Sequence, residues 1–558
     1  MSDIRLQLGV AISMRDGVRL SANLYRPPGK GPFVTVLQLT PYTADSIHPW
    51  ASYFAASGFA FLAVNCRGRG GSSGKFRPFE DDARDGHDAV EWAAKQPWCD
   101  GRVVMSGGSY AGFTQWATAS QRPKGLTAIA PIASAYPNWD FPRLGGILGT
   151  YVSRWLGYAH GEARNISLFD DRTYWVARLR QQFISHQSIA GDRELLGDGT
   201  ALRKWLAHPD DDEYWKAMRP TGRQYAAMRM PILTLCGQYD GDAPGALRYY
   251  AEHRRQLPQG RHDLVIGPWD HAGTREPKTR FNGLRFGTAS RIDVRELLCK
   301  WYRWALGDGP RPEFLRDRTA VYVAGEERWH YAKSLEELGT PAARFFPSAE
   351  SRDASRASRA GELAKRRPAA HLRNYSRDPL DTREGLVELA NMGFSRVPET
   401  RAIRGTGLVF LSKPFPRGLR IVGRPRLSAW LRLDAPDADF ALFFDEIRRD
   451  GREIHLTMMR LRARYRGGFK KPRLMKPGEW EPFEFHGHFY FARRLAKGSR
   501  LRMVLTTPVS PHLERNYNSG GLVAKESAAN ARSVHVEIAL GGERAAILRF
   551  DSTPSAAG

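Results

Sequence analysis

The stretch Val103-Val-Met-Ser-Gly-Gly-Ser-Tyr-Ala-Gly112 is an apolar run that breaks into small residues and then gives way to a helical pattern reaching Ala119. Such a run suits a strand covered on both faces, as in a parallel sheet. A serine on the tight turn between that strand and a helix needs small neighbours, because its backbone is strained and its hydroxyl must stand clear of the sheet. Gly107 and Gly112 supply the room, although the strict G-x-S-x-G spacing is missed by one place, position 111 being Ala. A helix starting here also aims its amide N–H groups at any anionic oxygen formed beside Ser109. With no Lys-Ser/Thr following, a phosphate-binding loop fits poorly. The stretch predicts a strand-turn-helix elbow with Ser109 at its tip.

Working outward, the same alternation of strand and helix recurs. Leu6 to Ser13 and Val18 to Tyr25 alternate about a turn at Arg15-Asp-Gly17, which reads as a hairpin. Phe33 to Leu39 and Phe59 to Asn65 are continuous apolar runs around a helical stretch at Ala51 to Ser57. Asp81 to Lys95 is an amphipathic helix, and Leu126 to Ile132, Ile232 to Cys236 and Asp263 to Ile266 supply further strands. From Asn138 to Met230 strand runs give way to Trp-, Arg- and Leu-rich helical patterns, as expected of a cap inserted over the sheet. A last helix, Ile292 to Leu306, stops at Gly307-Asp-Gly-Pro310. Residues 348–377 read as loop or short helix, and the Gly- and Pro-bounded runs beyond them predict an all-β unit. The expected architecture is an α/β-hydrolase fold (residues 1–137 and 231–310) with an inserted helical cap (138–230) and a C-terminal jelly-roll domain (311–558).

A serine hydroxyl is a weak nucleophile until a base takes its proton, and that base must be oriented by a carboxylate. In this fold the order along the chain is Ser, acid, His, each after a later strand. Asp240, in Gly237-Gln-Tyr-Asp-Gly241, and His271, in Gly267-Pro-Trp-Asp-His271, fill those places. Asp242 and Asp270 are rival acids, His262 and His48 rival bases. Trp139, just after the Leu126 to Ile132 run, is a candidate lining residue for an aromatic acyl pocket.

Several segments together resemble the cocaine-esterase-like hydrolases, a group that includes α-amino acid ester hydrolases and X-prolyl dipeptidyl-peptidases. They are Met14 to Pro27, Thr40-Pro-Tyr42, Asn65-Cys-Arg-Gly-Arg-Gly70, Pro97-Trp-Cys-Asp-Gly101, Gly107-Gly-Ser-Tyr-Ala-Gly112, Gly267-Pro-Trp-Asp-His271 and Asn516-Tyr-Asn-Ser-Gly-Gly521. The group's elbow is G-x-S-Y-x-G, which absorbs the displaced glycine. The resemblance implies a helical cap, a C-terminal jelly roll, and an oxyanion hole made by the Tyr110 N–H and the Tyr42 hydroxyl. A tyrosine stays protonated at neutral pH and can donate to a developing oxyanion. In α-amino ester hydrolases two acidic residues, two and three places after the triad aspartate, receive the substrate ammonium. Here those places hold Asp242 and Ala243, so half of the pair is present.

Composition sets the remaining bounds. With 558 residues, 42% hydrophobic and 26% charged, the chain has the makeup of a globular protein of two or three domains. The four cysteines, Cys66, Cys99, Cys236 and Cys299, lack zinc-site spacing and read as reduced, buried residues, which with the absence of a signal-type or membrane-length apolar run suits the cytoplasm. The net charge of +25 invites an anionic partner, but most of the surplus is spread over segments after residue 310, and no nucleic-acid-binding signature accompanies it. The expected activity is acyl transfer from a small-molecule ester or amide to water, with no metal or organic cofactor. An X-Pro dipeptidyl-peptidase, an acyltransferase or cyclase sharing the acyl-enzyme, and a carbohydrate-binding protein are the rival readings. A homo-oligomer is compatible with the sequence.

Overall fold

The opening hairpin forms as its alternation predicts: β1 (Arg5–Ser13) and β2 (Arg19–Arg26) pair antiparallel, Ile12 opposite Leu20. The computed structural model describes residues 3–161, 165–196, 200–339, 343–348, 360–391 and 406–551. After the hairpin come β3 (Phe33–Thr40), α1 (His48–Ala56), β4 (Ala60–Asn65), α2 (Asp82–Ala94), β5 (Cys99–Ser109), α3 (Tyr110–Ser120) and β6 (Leu126–Ser134). Next, β7 (Arg143–Leu144) and β8 (Ile147–Leu148) make a small hairpin. It leads into α4 (Tyr151–Ala159), α5 (Ile166–Asp170), α6 (Arg172–Ser185), α7 (Arg193–Leu196), α8 (Thr200–Ala207), α9 (Glu213–Lys216) and α10 (Gly222–Ala227). The chain then returns to the sheet through β9 (Ile232–Tyr239), α11 (Ala243–Gln256) and β10 (His262–Asp270). A further two-residue hairpin, β11 (Arg280–Phe281) and β12 (Leu284–Arg285), precedes α12 (Val294–Leu306), β13 (Thr319–Val323) and β14 (Arg328–Ala332).

The first sheet has ten strands in the order β1-β2-β4-β3-β5-β6-β9-β10-β13-β14. Neighbours from β4 to β13 run parallel. Their continuous apolar runs are explained by two cores, one on each face. Leu37, Leu39, Val103 and Met105 pack with Val90 of α2, Trp116 of α3 and Tyr249 of α11. Val36, Val104, Leu233 and Val265 point the other way, toward Phe54 of α1 and Trp301 of α12. Each such aliphatic side chain contributes about 1.5–3 kcal/mol by leaving water.

Past residue 340 the structure is mostly β. One six-stranded sheet runs Phe346–Ser348, Gly361–Ala364, Gly407–Ser412, Arg500–Thr506, Asp439–Ile447, Glu453–Arg462. The other runs Leu372–Arg377, Val534–Ala539, Leu419–Leu433, Trp480–His486, and Phe491–Leu495 and Ile547–Asp551 also pair with the long strand Leu419–Leu433. Phe410, Leu442 and Met503 of the first sheet meet Leu427, Leu431 and Ile538 of the second in a common core.

Two expectations are corrected. Of residues 348–377, expected to be loop or short helix, 349–359 lie outside the described residues, and the remainder holds two strands, Gly361–Ala364 and Leu372–Arg377, paired with Gly407–Ser412 and Val534–Ala539. Such short strands carry little apolar alternation of their own, so their partners, distant in sequence, decide them. The first sheet also reaches past the Gly307 to Pro310 stop, since β13 pairs parallel with β10 and β14 with β13. Beyond that edge hydrogen bonds join the units: the Ala324 N–H donates to Ala492 O, and the Ala492 N–H donates to the side-chain Oε1 of Gln238, whose Nε2 donates to Tyr322 O.

A buried histidine pair lies between α11 and β10. Met228 O can only accept, so His253 Nε2 carries the proton, and His253 Nδ1 accepts from His262 Nδ1 at 3.0 Å. His262 Nε2 is then left to accept from Thr234 Oγ1 at 2.8 Å. This chain needs both rings neutral. Burial lowers both pKa values below the ordinary histidine range, His262 furthest, and His253 further lowers that of His262. The unfolded chain therefore binds more protons, so the pair's stabilisation is present above about pH 6.5 and is lost as the pH falls below it. His262→Leu, which strands two polar partners, should destabilise the protein by about 1–3 kcal/mol. Urea unfolding at a series of pH values should also show a smaller loss of stability from about pH 6.5 to 5 in that variant than in the wild type.

Candidate active site

Strand β5 runs directly into Ser109, whose φ of 63° and ψ of −124° turn the chain into α3. Few side-chain-bearing residues tolerate that conformation, and the close approach around it accounts for the glycines. A Cβ on Gly107 (φ 128°) would lie 2.7 Å from the Ala111 Cβ, and one on Gly112 would lie 2.6 Å from Ser134 Oγ and 2.8 Å from Ile132 O. Tyr110, the first residue of α3, is buried, and its hydroxyl donates to Asp82 Oδ2 at 2.6 Å. That bond fixes the ring below the elbow and leaves the Tyr110 N–H at the free N-terminal end of the helix.

Asp240 follows β9 and is fully buried. Its Oδ1 accepts from His271 Nδ1 at 2.7 Å and from the Asp242 N–H at 3.0 Å. His271 follows β10 in a turn tied by Gly273 N–H to Asp270 Oδ1 and by Thr274 Oγ1 to His271 O. Three of the four rivals are engaged elsewhere, and the fourth, Asp242, lies in the site itself. His262 belongs to the pair beside α11, His48 Nδ1 sits 3.2 Å from the Tyr25 hydroxyl, and Asp270 holds Gly273.

Ser109 Oγ donates to Asp242 Oδ2 at 3.3 Å and lies 3.5 Å from the Tyr42 hydroxyl. Asp242 Oδ2 is 3.9 Å from His271 Nδ1, so this carboxylate stands between serine and imidazole. Burial, reinforced by Asp240, pushes the Asp242 pKa up to about 6. Burial pulls the His271 pKa down, but the carboxylates of Asp240 and Asp242 outweigh it and leave the imidazole above its ordinary value. Burial pushes Tyr42 up to about 12, which keeps its phenol protonated. Trp139, by contrast, is taken up by the seam with the β unit, where its ring meets Arg248, Phe469 and His488.

Three neighbours escaped the sequence reading. Asp140, half-buried near Asp242, accepts from the backbone N–H of Tyr136 at 2.8 Å and of Gly245 at 2.6 Å. Burial and the Asp242 charge raise its pKa well above the carboxylate range. Arg275 lies over the elbow, where a Cβ on Gly108 would come 2.5 Å from its Nη1, and its charge works against protonation of Asp242 and His271. Trp155 of α4 donates its indole N–H to the Tyr42 hydroxyl at 3.1 Å. A turn aspartate, a loop arginine and a helix tryptophan carry no local pattern that marks them. Among the described residues no group of three or more His, Cys, Asp or Glu is placed to hold a metal ion, and no helix is long and apolar enough to cross a membrane.

A family model described as X-Pro dipeptidyl-peptidase (S15 family) matches residues 16–273, and the X-Pro dipeptidyl-peptidase C-terminal non-catalytic domain matches residues 315–545. Cocaine esterase of Rhodococcus sp. (strain MB1 Bresler) is 27% identical over 553 residues, covering 93% of each chain. An α-amino acid ester hydrolase structure is similar with a TM-score of 0.82 at 20% identity, covering 99% of this chain and 97% of that one. An aminopeptidase from a marine sediment Thaumarchaeota archaeon is similar with a TM-score of 0.80 at 20% identity, covering 98% and 96%. The fold thus joins an α/β-hydrolase-like unit to a mostly β C-terminal unit. Because the elbow has no space for a further methyl group, Gly107→Ala should lower unfolding stability by about 1–3 kcal/mol in urea titrations.

Proposed function

We propose that this chain, a serine hydrolase similar to cocaine esterase and matched by the S15 family model and its companion C-terminal domain model, cleaves carboxylic esters through an acyl-enzyme on Ser109. The observation that carries this reading is the 2.7 Å Asp240–His271 bond beside a serine held at φ 63°. With Nδ1 bound to Asp240, the imidazole keeps Nε2 for the serine proton. On attack, Ser109 Oγ leaves Asp242, gives its proton to His271 Nε2 and bonds to the ester carbonyl carbon. The carbonyl oxygen becomes an oxyanion received by the Tyr110 N–H and the Tyr42 hydroxyl. His271 returns the proton to the departing alcohol, and a water activated by the same imidazole then releases the acid. We read the helices of 138–230 as a cap over this site and the β unit as a jelly roll. The cap is fastened from below: buried Arg143 donates to Trp205 O at 2.7 Å, and the Tyr465 hydroxyl of the β unit donates to Asp210 at 2.7 Å.

A second reading concerns the substrate. Asp242 and Asp140 form an acidic wall next to Ser109 that suits an ammonium group, as in an α-amino ester or a peptide with a free N-terminus. Esters carrying a free amine should then outperform their N-acylated counterparts, and equal kcat/KM values for the two would argue for an uncharged substrate.

Ser109→Ala should reduce p-nitrophenyl ester turnover at least about a thousandfold and abolish fluorophosphonate labelling. Wild-type labelling at another serine would overturn the assignment. The pH dependence has a definite sign. His271 acts only when neutral, and its pKa is raised, so the acid limb of kcat/KM should have its midpoint above about 6.5. Asp242→Asn removes one of the two raising charges, so the midpoint should move to lower pH in the rate profile of that variant.

A further inference from the structure

Helix α4 brings Trp155 and Tyr158, one turn apart, onto Tyr42. The Tyr158 ring stacks on the Tyr42 ring with centroids 5.3 Å apart, and the buried Trp155 indole donates to the Tyr42 hydroxyl at 3.1 Å. The same indole stacks on Tyr110 at 5.6 Å with an interplanar angle of 23°. Trp155 therefore touches both residues of the proposed oxyanion hole, although it comes from a segment inserted far along the chain. The direction of the protons follows from chemistry. An indole N–H is only a donor, so Tyr42 Oη accepts from it. An ionised Asp242 can only accept, so the single Ser109 proton points to Asp242. The 3.5 Å contact between Tyr42 and Ser109 must then use the Tyr42 proton. The hydrogen bonds run one way: Trp155 N–H to Tyr42, Tyr42 O–H to Ser109, Ser109 O–H to Asp242.

We infer that Trp155 is a positioning residue for the reaction, one that fills the acceptor side of the Tyr42 hydroxyl and so aims the phenol proton at the place where the oxyanion forms. The inference rests on the serine-esterase reading above. Such a donor polarises the phenol and strengthens its outgoing bond, and a hydroxyl aimed in advance needs no reorganisation during the reaction. The inserted helices then complete the catalytic centre as well as covering it. A tryptophan that merely lined the acyl pocket would act on substrate binding and would need no N–H.

A double-mutant cycle separates these roles. Steady-state kinetics on p-nitrophenyl esters should show Tyr42→Phe lowering kcat by about a hundredfold and Trp155→Phe lowering it by about tenfold, with KM within about twofold. The double variant should match Tyr42→Phe alone, because without the phenol hydroxyl the indole N–H has nothing to orient. Replacing Trp155 by β-(3-benzothienyl)alanine, which keeps the bicyclic shape and lacks the N–H, should reproduce the loss in kcat and removes any packing defect of the phenylalanine variant. Multiplicative effects in the double variant, wild-type kcat in the benzothienyl variant, or a raised KM at unchanged kcat would each overturn the inference while Ser109→Ala stays inactive. Activity retained in Ser109→Ala would instead overturn the serine-esterase reading and this inference with it.

Discussion

A side-chain-bearing residue at φ 63° between a buried parallel strand and a helix is a local strain of about 1–3 kcal/mol, and it persists only where its surroundings leave no alternative. At Ser109 the surroundings are close on every side. The carbonyl of Ile132 and the side chain of Ser134 on β6 leave no space for a side chain at Gly112, and Ala111 leaves none at Gly107. Beneath the turn, the Tyr110 hydroxyl is clamped between Asp82 and the Phe79 N–H, both 2.6 Å away. The sheet order then does the rest, because β9 and β10 follow β6 across the sheet and end immediately before Asp240 and His271. The placement of the site is thus a consequence of strand order together with one strained turn.

The elements beyond the first sheet share apolar cores with it, Trp155, Trp205 and Trp215 packing in one cluster with Leu37 and Trp116, and Val422, Tyr490 and Ala492 in another with Ile266 and Val321, and polar groups tie them further. The β7–β8 hairpin lies against the β unit, where the Leu148 N–H donates to Glu514 Oε1 and the Arg462 N–H donates to Gly145 O. Glu514 is held in turn by Arg462, which also forks onto Asp439 at 2.8 and 3.0 Å. A buried ion network of this kind adds little net stability against its desolvation, but breaking it leaves an uncompensated charge, so it fixes geometry. Arg143 and Arg462 therefore bracket the entry to the inserted helices that carry Trp155 and Tyr158. Much of the arginine in the β unit has this architectural use: Arg493 binds Glu446, Arg502 binds Asp445 and Glu453, and Arg464 binds Asp437.

Electrostatically the site is a crowd of carboxylates around one imidazole. Asp240 is positioned to hold His271 and Asp242 to hold the resting serine, while burial and its acidic neighbour raise the pKa of Asp140. Arg275 supplies an opposing charge from the same turn as His271. The balance leaves the imidazole more basic than in water, while Asp242 titrates close to the pH at which it would be needed as an anion.

By itself the sequence determined the features that are written locally. Continuous apolar runs marked the parallel strands, small residues marked the elbow at Ser109, and strand-end turns marked Asp240 and His271, because each depends on the conformation of a few adjacent residues. The tertiary structure alone decided which distant groups meet. It placed Trp155 on Tyr42, Asp140 beside Asp242, and His253 against His262, and it made strands of Gly361–Ala364 and Leu372–Arg377 by pairing them with partners far along the chain. It also carried the first sheet beyond Pro310 through β13 and β14. A hydrogen bond between residues far apart in sequence is set by how helices and strands pack, and packing leaves no period or spacing in the local sequence from which it could be read.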